Sequence, residues 1–171
     1  SALTTINPKK AKVMIQKLAD FLRYTLSNNE KQKNKLSEEL RNIKLYLEIE
    51  KIRFEDKFDY IEKINEECKQ VEVPNMILQP LIENAIKHAV YETLDKVTLT
   101  LTCTQENEFL KINLTNNYDL ETETKNGSGI GLKNIEGRLE LLYGMDNLLQ
   151  VKKTDDTFSV SMYIPLNDEL N

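Results

Sequence analysis

Only two cysteines, Cys68 and Cys103, occur in 171 residues, and neither has metal-ligand spacing or the further partners of a disulfide framework. They read as two reduced, partly buried thiols of a cytosolic protein. No run approaches the ~20 apolar residues that span a bilayer, and no signal peptide is visible, so no membrane contact is expected from these residues. Excess charge of one sign is also scarce. The net charge is -5 with acids and bases interspersed, which argues against nucleic-acid binding and leaves any bound anion to be held locally. Internal repeats and low-complexity segments are absent. The chain opens on Ser1 and not on methionine, so it reads as a fragment of something longer. What is present, 40% hydrophobic and 30% charged residues, suits a soluble folded chain of one medium domain with an appendage, or two small domains.

The single histidine lies in the run Leu78 to Ala89. At about 100° per residue, Glu83, Asn84, Lys87 and His88 share an arc of roughly 140°, while Leu78, Leu81, Ile82, Ala85, Ile86 and Ala89 fill the other side. An ordinary surface helix with a Glu83–Lys87 pair fits this pattern too. A carboxylate, an amide, an ammonium and an imidazole side by side could also hold a metal-bound phosphate. The glycines support the second reading: all five, Gly127, Gly129, Gly131, Gly137 and Gly144, fall in one short window.

In chain order, Pro8 to Leu26 reads as a helix with Met14, Leu18, Phe21 and Leu22 at helical spacing. The polar run Ser27 to Lys35 interrupts it. Ser37 is expected to cap a second helix, with Glu38 and Glu39 in its first turn and its end near Phe54. Its apolar residues spread over more than one stripe, which predicts two contact partners, one of them from another subunit; a helix buried once within a monomer is the alternative. After Lys57 the period changes: Phe58, Tyr60 and Ile64 alternate with charge as in a half-buried strand. Val97–Thr102 and Phe109–Leu114 alternate strictly and predict an antiparallel hairpin. Tyr118 to Ser128 is polar and long for a connection. Leu132, Ile135, Leu139 and Leu142 form a helical stripe ending at Gly144, and Leu148–Val151 and Phe158–Ile164 read as closing strands. The order β, α, β, β, α, β, β predicts a two-layer α/β sandwich with a mixed, mainly antiparallel sheet, preceded by a helical hairpin. The boundary is expected at residues 55–57, giving segments 1–56 and 57–171.

Gly127-Ser128-Gly129-Ile130-Gly131-Leu132 leads directly into a helix, where glycine lets backbone N–H groups close on a phosphate and the helix end adds partial positive charge. The spacing is G-x-G-x-G, no strand runs into it, and no glycine precedes Lys-Ser or Lys-Thr. Both the Rossmann and the P-loop nucleotide folds are therefore disfavoured.

Glu83-Asn84-Ala85-x-x-His88, followed by Gly127-x-Gly129-Ile130-Gly131-Leu132-x-Asn134 and by Thr157-Phe158 before a strand ending Ile164-Pro165, resembles the Bergerat or GHKL-type ATP-binding domain of histidine kinases, a heat-shock chaperone, DNA gyrase and MutL. Leu36-Ser37-Glu38-Glu39-Leu40, Tyr46-Leu47-Glu48-Ile49-Glu50, Arg53-Phe54, Leu78-Gln79-Pro80 and Arg138-Leu139-x-Leu141-Leu142-Tyr143-Gly144 resemble the LytS-type sensor histidine kinases. The resemblance implies Mg2+ and ATP as cofactors, with Asn84 on the magnesium and Glu83 orienting a water or polarising the reacting group. It implies Lys87 and His88 near the phosphates, the backbone of Gly127, Gly129, Ile130, Gly131 and Leu132 around them, and Tyr118 to Ser128 as a lid. Thr157 would lie near the adenine, with Asn116 in place of the family's usual adenine-reading aspartate, a position where members tolerate asparagine. The resemblance further implies remaining dimerisation and phosphotransfer helices in 1–56, a homodimeric parent in the cell inner membrane with this part in the cytoplasm, and a response regulator as partner, of LytTR type.

The family's acceptor motif is not found here: Ile6-Asn7-Pro8 is followed by Lys9, and His88 belongs to the ATP site. The acceptor histidine is therefore expected upstream of Ser1, leaving this fragment able to bind ATP but not to phosphorylate itself. Two rival readings follow from the same residues. One is a nucleotide-responsive scaffold whose altered Asn116 motif binds ATP weakly or not at all; the other is an ATPase like that of MutL, which the short domain and preceding helices disfavour.

Overall fold

The computed structural model describes residues 7–27, 32–91, 93, 95–117 and 130–167. Helix α1 (Pro8–Ser27) starts where Asn7 Oδ1 accepts the Lys10 N–H at 3.0 Å, a side-chain cap ahead of a proline already suited to the first turn. It lies along α2 (Leu36–Phe54): the Phe21 and Tyr46 rings are 6.1 Å apart, Lys17 pairs with Glu48, and Lys10 pairs with Glu55 at 3.3 Å.

Between the two helices the structure departs from the sequence reading. Lys33–Lys35 is a short strand, β1, pairing antiparallel with β3 (Glu72–Pro74) in the register Lys33↔Pro74 to Lys35↔Glu72. This ladder feeds straight into α2, and the Leu36 N–H donates to Val71 O at 2.9 Å. The first helical donor is thus met by backbone. Lys35 occupies the cap position without a side-chain bond, and Ser37, expected as the cap, falls inside the first turn. Helix α2 meets two partners, and both lie in this chain, where one was expected from another subunit. One side meets α1; the other meets α3 (Leu78–Ala85) and sends Leu36, Leu40, Ile43 and Leu47 into the main core.

A turn at Glu55–Lys57 ends the helical hairpin where the periodicity changes. The five-stranded sheet has the order β2-β4-β5-β7-β6, built from β2 (Phe58–Ile64), β4 (Val97–Glu106), β5 (Phe109–Asn117), β6 (Leu149–Lys153) and β7 (Thr157–Pro165). Only β2 and β4 run parallel; the other pairs are antiparallel. The β4–β5 hairpin is longer than the strict alternation indicates because both strands continue past their apolar residues to a tight turn, where Asn107 takes φ 54°. Strand alternation puts Leu99, Leu101, Cys103, Ile112, Leu114, Val160 and Met162 on one face, all buried.

Against that face pack α3, which continues as a wider turn through Ile86–Val90, and α4 (Ile130–Tyr143). Helix α4 stops at Gly144, whose φ of 62° and N–H bond to Glu140 O at 2.8 Å form the expected C-terminal cap. The result is a two-layer α/β sandwich with a mixed, mainly antiparallel sheet. Cys68 and Cys103 are free and fully buried, the Cys68 thiol donating to Cys103 O at 3.6 Å. Among the described residues no helix is long and apolar enough to cross a membrane.

Candidate functional site

The loop before α3 is held from both sides. Met76 stands at φ 54°, a left-handed conformation that disfavours side-chain-bearing residues. From α2, the buried Glu39 carboxylate accepts the Met76 N–H at 2.7 Å and the Leu78 N–H at 3.3 Å. From α4, Arg138 Nη2 donates to Asn75 O at 2.6 Å. The residue at the cap position of α3, Ile77, has no capping side chain, so Glu39 serves as the cap from another element. Burial holds the Glu39 carboxyl above the ordinary carboxylate range, although the bonds from Met76 and Leu78 pull the other way.

With its N-terminus fixed, α3 turns Leu78, Leu81, Ile82, Ala85 and Ile86 into the core and its polar arc outward. A cleft of about 530 Å³ runs between α3 and α4, a volume in the range of small-molecule sites. Ile77, Pro80, Glu83, Asn84, Lys87 and His88 line one wall; Gly131, Asn134, Ile135 and Arg138 line the other. The helices run antiparallel, with Asn84 meeting Gly131 at one end and Arg138 meeting the Asn75 loop at the other. A Cβ at position 131 would stand 3.6 Å from Asn84 Oδ1, so the glycine leaves open the space beside that oxygen. At the same end the helix widens, the Tyr91 N–H bonding Ile86 O at 3.1 Å, and Lys87 and His88 sit within this wide turn.

Glu83 is held from behind. Gln79 Nε2 donates to Glu83 Oε1 at 2.7 Å, and Asn42 Nδ2 of α2 donates to Gln79 Oε1 at 3.1 Å. Further along α2, the buried Glu50 accepts from the Tyr91 hydroxyl at 3.2 Å, and Arg53 Nη1 donates to the same hydroxyl at 2.7 Å. Burial holds the Glu50 carboxyl above its usual range; Arg53 and Tyr91 oppose that shift and the Glu83 charge adds to it. Tyr46 is likewise pushed up, first by burial and then by Glu50 and Glu83. Glu39, Asn42 and Glu50, at positions i, i+3 and i+11, make one polar stripe on the side of α2 that faces α3 and its flanking turns.

Five residues expected at the site therefore converge: Glu83, Asn84, Lys87, His88 and Gly131. Leu132 instead packs against the core. Ile130 opens α4, while Gly127, Gly129 and the expected lid lie outside the described residues. Asn116 and Thr157 are not in the cleft wall. Asn116 is 4% exposed on the inner sheet face, its Nδ2 donating to Asn117 O at 2.9 Å. Thr157 pairs with Asn117, one position out of phase with Asn116, so it faces away from the helices, and its Oγ1 bonds Thr154 Oγ1 at 2.7 Å. Phe158 takes the inward position beside Asn116. Thr157 and Phe158 thus stand on opposite faces of the sheet, since a strand reverses face at every residue. Pro80, Asn134 and Arg138 were quoted in motifs but not expected in the wall. The spacing 131, 134, 135, 138 marks Asn134 and Arg138 as part of one face of α4, and Pro80 lies on α3.

A family model described as Histidine kinase matches residues 1–58. The chain is 30% identical to the sensor protein LytS of Staphylococcus haemolyticus across 96% of its own length, and 29% identical to the sensor histidine kinase BtsS of Escherichia coli across 99%. It spans only about 30% of the length of either relative. The nucleotide-free catalytic domain of histidine kinase ThkA superposes with a TM-score of 0.57 at 18% identity, covering 78% of this chain and 94% of that one. ThkA in complex with the response regulator TrrA gives 0.58 at 19% identity, covering 97% and 53%. Family match, relatives aligned along almost the whole of this chain and the shared fold agree: the chain is similar to one segment of the sensor histidine kinases of the LytS type.

Proposed function

We propose that the cleft between α3 and α4 binds ATP with magnesium, and that the whole protein passes the γ-phosphate to a histidine N-terminal to this segment and then to an aspartate of a response regulator. The observation that carries this reading is the meeting of Asn84 and Gly131. An amide oxygen is a hard ligand suited to magnesium, and the glycine opposite it keeps open the space that an ion and a phosphate would need. Lys87 at that end and Arg138 at the other supply positive groups for phosphate oxygens, and His88 lies beside Lys87 in the same wall. Magnesium, when bound, would neutralise phosphate charge, with Asn84 as its ligand from this chain. Glu83, whose position Gln79 fixes, is placed to orient the accepting group, and the transfer depends mostly on positioning and charge neutralisation.

In this reading residues 57–171 are the ATP-binding domain, and residues 1–56 belong to the dimerisation and phosphotransfer helices of a homodimer. The partner is a response regulator of LytTR type, and the whole protein is anchored in the inner membrane with this part in the cytoplasm. ATP binding measured by calorimetry with and without magnesium tests the site. We expect magnesium-dependent binding that Asn84→Ala abolishes; binding that survives this substitution would remove Asn84 from the metal and sink the assignment. A second reading, a regulatory scaffold that binds nucleotide weakly, draws on Asn116, which is buried with its amide nitrogen on a neighbouring carbonyl, and on Thr157, which faces away. No binding by a folded chain would favour it.

A further inference from the structure

Glu83 reaches α2 through two amides, and the order of donors along that path is dictated from the Glu83 end. An ionised carboxylate only accepts. The Gln79 side chain must therefore present its NH2 to Glu83, as it does at 2.7 Å, and this turns Gln79 Oε1 back toward α2. That oxygen needs a donor, which Asn42 Nδ2 provides at 3.1 Å. The consequence falls on Asn42, 1% exposed, whose Oδ1 has no hydrogen-bond partner among the described residues. Turning the Asn42 amide over would set its oxygen against that of Gln79, so the orphaned acceptor is the structural cost of keeping Glu83 in one place. A buried asparagine kept for packing alone would have no reason to leave an acceptor unmet, because an apolar residue fills such a position without that penalty.

We infer that Asn42 and Gln79 are positioning residues for phosphoryl transfer: together they hold the Glu83 carboxylate in one orientation, and they make that orientation depend on the placement of α2. Neither has a role in holding the nucleotide. Asn42 does not line the cleft, and Gln79 lies behind Glu83, outside the wall. The inference rests on the proposed phosphoryl transfer and specifies what aligns Glu83 within it. It follows that losing the relay leaves nucleotide affinity alone and lowers the rate at which correctly aligned complexes react.

The test is made in the full-length kinase, measuring acid-labile label from γ-labelled ATP on the protein at varied ATP, with Asn42→Leu, Gln79→Leu and the double variant beside wild type. Asn42→Leu should lower kcat about tenfold with KM for ATP changed less than about twofold. Gln79→Leu should do the same, and the double variant should be no slower than the worse single one, because both act through the same carboxylate. Circular dichroism checks folding; should Asn42→Leu not fold, the kcat-against-KM split of Gln79→Leu, at a half-buried position, decides. Multiplying losses in the double variant, or a rise in KM at unchanged kcat, would overturn the relay while leaving the kinase reading intact. Absence of both ATP binding and label in the wild-type protein would instead overturn the proposed function, and the relay with it.

Discussion

Replacing Gly131 by alanine should strengthen the fold and weaken the site. Gly131 has ordinary helical geometry in the first turn of α4, and the added methyl meets nothing closer than Asn84 Oδ1 at 3.6 Å, an ordinary contact. Glycine in a helix interior is about 0.8–1 kcal/mol less favourable than alanine, somewhat less near an end, so stability should rise by up to about 1 kcal/mol. For a chain of this size that corresponds to roughly 2–4 °C in Tm. Gly137 is the internal control: it lies in the same helix, away from the cleft, and a methyl there has nothing within 4 Å. Gly137→Ala, in mid-helix, should give an upward shift at least as large and no other effect. The two variants should part at the nucleotide. Asn84 would be the magnesium ligand from this chain, and a methyl carbon 3.6 Å from its Oδ1 fills space beside that oxygen that an ion and a phosphate would need. We expect at least a tenfold loss of affinity for magnesium-ATP in Gly131→Ala, about 1.4 kcal/mol. Scanning calorimetry and titration calorimetry on the three proteins give both numbers. Equal affinity in the two variants would refute the argument that the space between Asn84 and Gly131 belongs to the ligand.

Glu39 should confer a pH dependence of known sign. Its carboxyl is held up in the folded state, chiefly by burial, so the folded chain keeps this proton at pH values where the unfolded chain has released it. Stability from this group is therefore largest below the unfolded value and falls as pH rises through the folded one. Glu39→Gln, which cannot ionise, should gain on wild type in urea melts as pH is raised from 4 toward 7, and a difference independent of pH would contradict the assignment. The two cysteines should be chemically silent: both are buried, and burial followed by the neighbouring Cys68 pushes the Cys103 thiol upward. An aromatic disulfide reagent should label neither in the native protein and both in urea, and native labelling at neutral pH would contradict their placement.

The elements that carry strong periodicity were legible in the sequence, and with them half of the site. The opposition of Glu83, Asn84, Lys87 and His88 to a buried face of α3 follows from 3.6-residue spacing, and the hairpin of β4 and β5 follows from alternation. What stayed hidden has physical reasons. The strand at Lys33–Lys35 has three residues, too few for any period, and exists only through its partner at Glu72–Pro74. The outward phase of Thr157 could not be read either, because a motif gives sequence position but not strand phase. The polar bonds from α2 to α3 and its flanking turns come from the stripe of Glu39, Asn42 and Glu50, which a search for apolar recurrence passes over.

That stripe also determines how α2 and α3 can move past each other. A greasy joint slides, because methyl groups are nearly interchangeable and each small displacement exchanges one contact for another. A joint of carboxylates, amides and backbone donors behaves like a key in its wards: Glu39 on Met76 and Leu78, and Asn42 on Gln79, are satisfied together in one alignment and unsatisfied between alignments. Shifting α2 by a fraction of a turn would strand several of these groups at once.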